Sequence, residues 1–138
     1  MKRTIAITLL AFAGVVGTGK ALAQTHQIRA TVPFDFTVGN KTLPAGDYSI
    51  TRVSDGAIAI RDNDARNAVL SMTSEATNQP SKNVLVFDKY NGHYFLRDIL
   101  CESAKVNVSL PWSKSESHAR ELEAKNPTDG GQVLLALK

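Results

Sequence analysis

An alternation of period two, sustained over eleven residues, constrains this chain more than any other feature of its sequence. Ile28, Ala30, Val32, Phe34, Phe36 and Val38 are apolar, while Gln27, Arg29, Thr31, Asp35 and Thr37 beside and between them are polar. A strand sends successive side chains to opposite faces, so the pattern predicts one apolar ridge on a core and one face toward water. Pro33 stands in the polar row and has no N–H to give a ladder, which predicts an edge strand or a bulge near the middle. The chain then turns through Gly39-Asn40-Lys41 and again through Leu43-Pro44-Ala45-Gly46, where proline presets φ and glycine accepts φ > 0. Tyr48 and Ile50 resume the apolar row. Residues 32–50 therefore specify a β-scaffold and bring no chemistry of their own.

The N-terminus reads as a targeting segment. Lys2 and Arg3 precede an apolar run from Ile5 to Gly19, and Ala21-Leu22-Ala23 supplies a small-x-small cleavage site, so residues 1–23 are expected to be a secretory signal peptide. The run is shorter than the roughly 20 residues that span a bilayer and is interrupted by Lys20, so no stable membrane anchor is expected after cleavage. Removing Lys2, Arg3 and Lys20 reduces sixteen basic residues to thirteen, against thirteen acidic ones. The sequence pI of about 9.1 is thus largely a property of the signal, and no nucleic-acid partner is expected. Residues 24–138 are expected to form a single β-rich domain, exported to the periplasm or secreted, and monomeric. That length buries a core without disulfides. Cys101 is the lone cysteine and ends an apolar run, so it is read as a small core residue.

Along this domain, Asp55-Gly56 lies between two period-two segments, Tyr48/Ile50 and Ile58/Ile60, and predicts a hairpin. Residues 62–67 form a polar turn, 68–73 a short strand and 74–83 a polar loop. Residues 84–90 and 93–100 flank Asn91-Gly92, which suits a type I′ turn, and a shorter strand is expected at 106–110. The period then changes. Ser113 and Glu116 fit a capping box opening a helix at about 114–125, with acid-first pairs Glu116/Arg120 and Glu121/Lys125 and a stop at Asn126-Pro127. Its apolar stripe is thin, chiefly Trp112, Ala119 and Leu122, so the helix is expected on the surface of the β-structure. A last strand is expected at about 132–137.

The stretch Val-Pro-Phe-Asp-Phe-x-Val-Gly-x-Lys-x-Leu-Pro-Ala-Gly-x-Tyr-x-Ile resembles the hallmark of a group of small exported bacterial proteins of acidobacterial type. The likeness continues through Tyr94-Phe95-Leu96 and the Ser-x-x-Glu…Arg-Glu-Leu pattern of the helix, covering most of the mature chain. The group has no assigned activity, so the resemblance implies export and a β-rich domain and brings no active site. The shorter Leu-Pro-Ala-Gly-x-Tyr piece resembles a turn-plus-strand common in exported β-sandwich modules.

Catalytic and metal chemistry find little purchase. His93 falls at a hairpin end and His118 on the exposed side of the helix, without a histidine at i+3 or i+4, and both are read as ordinary surface residues. Asp62, Asp64 and Arg66 have spacings like a calcium loop, but Arg66 puts a cation where an oxygen ligand is required, and the site is rejected. Asn40-Lys41-Thr42 and Asn107-Val108-Ser109 match a glycosylation sequon that matters only in a eukaryotic pathway. Cleavage after Ala23 would put His26 third from a free amine, a Cu(II) or Ni(II) spacing, though cyclisation of Gln24 removes the amine. No catalytic, cofactor-binding or metal residue is assigned, and no cofactor is expected.

The fold expected is mainly β: about eight short antiparallel strands in meander order, as a sandwich or a partly open barrel, with one C-terminal surface helix. The function expected is that of a non-catalytic binding or structural module acting on an envelope macromolecule of unknown identity. Its expected surface is the edge of the first strand together with the helix after Trp112. The alternative is a carrier of a small apolar, lipid-like ligand in an internal cavity, excluded if Phe34, Phe36, Tyr48 and Phe87 fill the interior.

Overall fold

The computed structural model describes residues 27–77, 83–128 and 130–137; the expected signal segment, its cleavage site and His26 lie outside the described residues. The fold is mainly β, with two sheets and one helix, and the larger sheet curls like half a barrel. The smaller sheet has the order β1-β4-β5-β6, from β1 (Gln27–Val32), β4 (Gly46–Ser54), β5 (Ala57–Asp62) and β6 (Ala68–Met72). The larger follows β11-β8-β9-β10-β7, from β7 (Ser74–Glu75), β8 (Val84–Tyr90), β9 (His93–Cys101), β10 (Val106–Ser109) and β11 (Gly131–Ala136). Beside it runs a small hairpin, β2 (Phe36–Val38) with β3 (Lys41–Leu43), and β2 also pairs parallel to the start of β9. Helix α1 (Lys114–Lys125) packs on the larger sheet, against β8.

The apolar row from Ile28 to Val38 is buried as its period demands, Phe34 being half-buried and the rest buried. It is not one strand. The chain leaves the small sheet at Pro33 and enters the large one at Phe36, so the row is shared between two sheets that enclose one core. Pro33 marks the break: without an N–H it suits the corner where pairing with β4 has ended. Asp35 at this corner accepts a bond from the Ala45 N–H at 2.9 Å, and the buried Tyr48 donates its hydroxyl to the Pro44 carbonyl. Both tie the 43–46 turn to its neighbours. Phe36 meets Tyr48 and Phe87 edge-on, at 5.1 and 5.6 Å, while Phe34 meets Phe87 at 5.1 Å and stacks on Tyr94 at 3.9 Å. Ring pairs in these geometries add to the burial of their area.

Other expectations are corrected in number and order. Among the described residues eleven strands replace the expected eight or so, because the two turns after Val38 enclose β3, and the expected 74–83 loop opens with β7, paired to β10. The meander order holds only within β4-β5-β6 and β8-β9-β10, and the β2–β9 pair is parallel. The last strand begins one residue early, at Gly131. Asn91 and Gly92 adopt φ of 49° and 79°, the two positive values that a type I′ turn requires. Cys101 is buried, with its Sγ 3.3 Å from Ser103 Oγ.

Phe36→Ala should cost about 3–5 kcal/mol through the cavity it leaves, and Thr37→Ala, on the opposite face, no more than about 0.5 kcal/mol. Equal losses in a urea melt would contradict the assignment of faces. Thiol labelling of the native protein should be slow at Cys101 and become fast only in denaturant; rapid native labelling would contradict its core position.

Candidate functional site

Helix α1 begins where the sequence places it. Ser113 has extended backbone (φ −87°, ψ 162°) and its hydroxyl accepts the Glu116 N–H at 3.1 Å. The second half of the capping box is not made as expected. Glu116 sends its carboxylate into the sheet, where it accepts from Arg97 Nη2. Arg97 in turn donates through Nε to Asp88 at 3.0 Å and through Nη1 to the Leu110 carbonyl at 2.9 Å. All three charged side chains are nearly buried, at 10 % exposure for Arg97, 9 % for Asp88 and 3 % for Glu116. Gln132 of β11 donates to the other oxygen of Asp88 at 3.3 Å.

The backbone aims this arginine. The β8–β9 register shifts between Val86 and Phe87, whose partners are Asp98 and Leu96, so Arg97 is the extra residue of a β-bulge. Two residues beyond Phe95, Arg97 shares the sheet face that carries the helix, and the bulge leaves it with no residue directly opposite. Trp112 then lies between two guanidinium groups, Arg97 at 4.2 Å and Arg120 at 3.8 Å from its ring centre. Trp112 is half exposed and Leu122 is 37 % exposed, so Ala119 alone of the expected stripe is buried. Charge, more than apolar area, holds the start of this helix.

The far end is held by Glu123. Its carboxylate accepts from the Thr128 hydroxyl and N–H, both at 2.7 Å, and from the Asn91 N–H at 2.8 Å. The Thr128 bonds, with that of Asn91, hold this carboxyl below the usual range. The helix is thereby fastened to the β8–β9 turn as well as to the sheet.

Between the helix, the β2–β3 hairpin and the β8–β9 turn lies an open cleft of about 260 Å³. Phe95, Ala119 and Leu122 give it apolar surface, and around them stand Thr37, Asn40 and Thr42 of the hairpin, Asn91 and His93 of the turn, and Ser115 and His118 of the helix. His93 and His118, read from sequence as unrelated surface residues, share this cleft. Among the described residues, no carboxylate, lysine or arginine lines it. Ser115 Oγ is 2.9 Å from Ser113 Oγ and donates to the Gly39 carbonyl at 3.4 Å, which ties the first turn of α1 to the turn after β2. The walls thus present hydroxyl, amide and imidazole groups around an apolar floor.

A second depression, about 430 Å³, lies over the rejected calcium-loop residues. Asp62 there accepts through Oδ2 from Asn67 N and Nδ2 at 3.1 and 2.9 Å while its Oδ1 is buried without a hydrogen-bond partner, and no group of three or more His, Cys, Asp or Glu side chains among the described residues is placed to hold a metal. The expected first strand, residues 28–38, is divided: β1 is an edge of the small sheet, whereas Thr37 of β2 lines the cleft together with Ser115, His118, Ala119 and Leu122 of α1. No helix among the described residues is long and apolar enough to cross a membrane. No protein-family model, curated protein or solved structure matches the chain.

Removing the arginine tests the charge cluster. Burial pushes the Glu116 carboxyl above its ordinary value, Arg97 pulls it down and Asp88 pushes it up again, while the two carboxylates hold Arg97 charged against its own burial. Arg97→Met should cost about 3–5 kcal/mol at neutral pH, because two carboxylates stay buried without their cation. A raised carboxyl binds its proton more tightly folded than unfolded, so that part of the loss is recovered as pH falls toward the unfolded value near about 4.3. Urea melts of both proteins across this window should show the gap narrowing in acid; a gap independent of pH would contradict the assignment. Glu116→Gln, which keeps an acceptor for Arg97, should cost no more than about 1 kcal/mol.

Proposed function

We propose that this chain is an exported, non-catalytic binding or structural domain of the cell envelope, and that it engages an uncharged, polar segment of an envelope macromolecule through the cleft beside α1. The observation that carries the reading is the cleft's lining: hydroxyl, amide and imidazole side chains around Phe95, Ala119 and Leu122, with no carboxylate, lysine or arginine among the described residues. Such a surface offers donors and acceptors to a neutral chain and leaves a strongly charged one without counter-charge. The apolar run and cleavage site at the N-terminus support export, as does the resemblance carried by residues 32–50.

The alternative, a carrier of a small apolar ligand, requires free space between the sheets. Phe34, Phe36, Tyr48, Phe87 and Tyr94 occupy that space with ring-to-ring contacts, which favours action at the surface.

Thr42 is exposed on β3 and borders the cleft, so Thr42→Trp fills it without entering the core. Immobilised wild-type protein should retain a defined component of an envelope extract, identified by mass spectrometry or sugar analysis. Thr42→Trp, with an unchanged melt, should retain at least about tenfold less, a difference of about 1.4 kcal/mol. Equal retention by the two proteins would overturn the cleft as the binding surface.

A further inference from the structure

We propose that the protein self-associates as a two-fold dimer through the free edge of β11, with Leu134 on the axis. Strand β11 ends the path of the large sheet: it pairs with β8 on one side, and among the described residues no strand pairs with its other side. Which of its backbone groups are free follows from the register. The Leu137 N–H donates to the Asn83 carbonyl at 2.9 Å, and these residues continue the pairing of Gly131 with Lys89 and Leu135 with Leu85. Hydrogen-bonded residues alternate along an antiparallel ladder, so Gly131, Val133, Leu135 and Leu137 bond toward β8. Gln132, Leu134 and Ala136 therefore turn their N–H and C=O groups toward the open edge.

This edge matches itself. An antiparallel two-fold that places Leu134 opposite Leu134 of a second copy sets Gln132 opposite Ala136 and Ala136 opposite Gln132. Each of those pairs is of the hydrogen-bonded kind, so all three open residues of each copy are satisfied at once. A register shifted by one residue would set open groups against closed ones. The side chains agree with the backbone. Leu134 is 65 % exposed, and its mate across the axis covers it. Residues 131–137 hold no charge and no proline, so no like-charged pair meets in this register.

Proteins ordinarily blunt an edge of this kind with charge, proline or brevity. Among the described residues, β1 carries Arg29 and runs into Pro33, β7 has two residues, and β6, itself without charge or proline, gives the Ala68 carbonyl to Lys41 Nζ at 3.2 Å while Leu70 and Met72 stay exposed. On β11 neither charge, proline nor a side chain blocks the edge among the described residues, and a second copy supplies a strand whose open groups match its own. Pairing would join the five-strand paths of the two copies into ten strands. A contact of one short strand from each copy is small beside the ~1,200–2,000 Å² of stable interfaces, so a dissociation constant of about 10–1,000 μM is expected.

Sedimentation velocity of the purified protein from about 1 μM to about 1 mM, a range bracketing that expectation, should show a concentration-dependent dimer. Leu134→Lys alone and Leu134→Glu alone place like charges on the axis, and each should associate at least about tenfold more weakly than wild type with an unchanged melt. Their equimolar mixture should recover the dimer, because unlike charges then face each other. A wild-type protein monomeric throughout, or single variants that dimerise as wild type does, would overturn the proposal. A mixture that stays monomeric would overturn the Leu134 axis.

Discussion

Arg97, held between the carboxylates of Asp88 and Glu116, is the contact on which the position of the helix depends. Helix α1 contributes two buried residues, Glu116 and Ala119, too little apolar surface to choose one seat on a sheet. A buried ion pair adds little net stability over a well-packed apolar substitute, because desolvation offsets attraction. Its effect is on specificity: a guanidinium with three acceptors in fixed directions accepts the helix in one place and one rotation. The bulge at Arg97 is the strand's contribution to that geometry, and Trp112, between Arg97 and Arg120, is the chain's as it enters the helix. Glu123 then fixes the other end to the β8–β9 turn. With both ends fastened, the helix serves as a rigid wall of the cleft.

The opposite wall comes from the corner at residues 33–35. The β2–β3 hairpin stands beside α1 because the chain leaves the small sheet at Pro33 and pairs Phe36 with Tyr94 of β9. Asp35 bonded to Ala45, and Tyr48 bonded to Pro44, lock the two turns that bound this hairpin to each other. The residues that make 32–50 distinctive are thus those that carry the chain between two sheets. Their role is structural, and the cleft arises because the corner and the helix converge on the same end of the large sheet.

Much of this was legible in the sequence because it is local. Period two announced which residues from Ile28 to Val38 are buried, Asn91-Gly92 announced a turn needing two positive φ values, and Ser113 announced the helix start. The splitting of the first row between two sheets was not legible, since alternation continues across Pro33 and tells the same story for one strand or two. Strands β3 and β7 escaped because three and two residues are too few to show a period. The charge cluster had a partial signal. A regular hairpin about Asn91-Gly92 puts Asp88 and Arg97 on one face of adjacent strands, amid apolar residues where charges need partners. Glu116 was read by a local rule, the capping box, and a distant guanidinium outcompeted that rule. His93 and His118 meet in one cleft only through tertiary structure, for which neither residue carries a local sign.

The most direct test of a helix fixed into the fold by charge uses Trp112, the chain's only tryptophan. Its fluorescence reports on the ring between Arg97 and Arg120, while far-ultraviolet circular dichroism reports on the sheets. If the helix is an integral wall, urea unfolding followed by the two signals should give coincident midpoints and slopes. A Trp112 transition at lower urea than the loss of the β-signal would mean that the helix leaves a folded sheet, and would contradict this account.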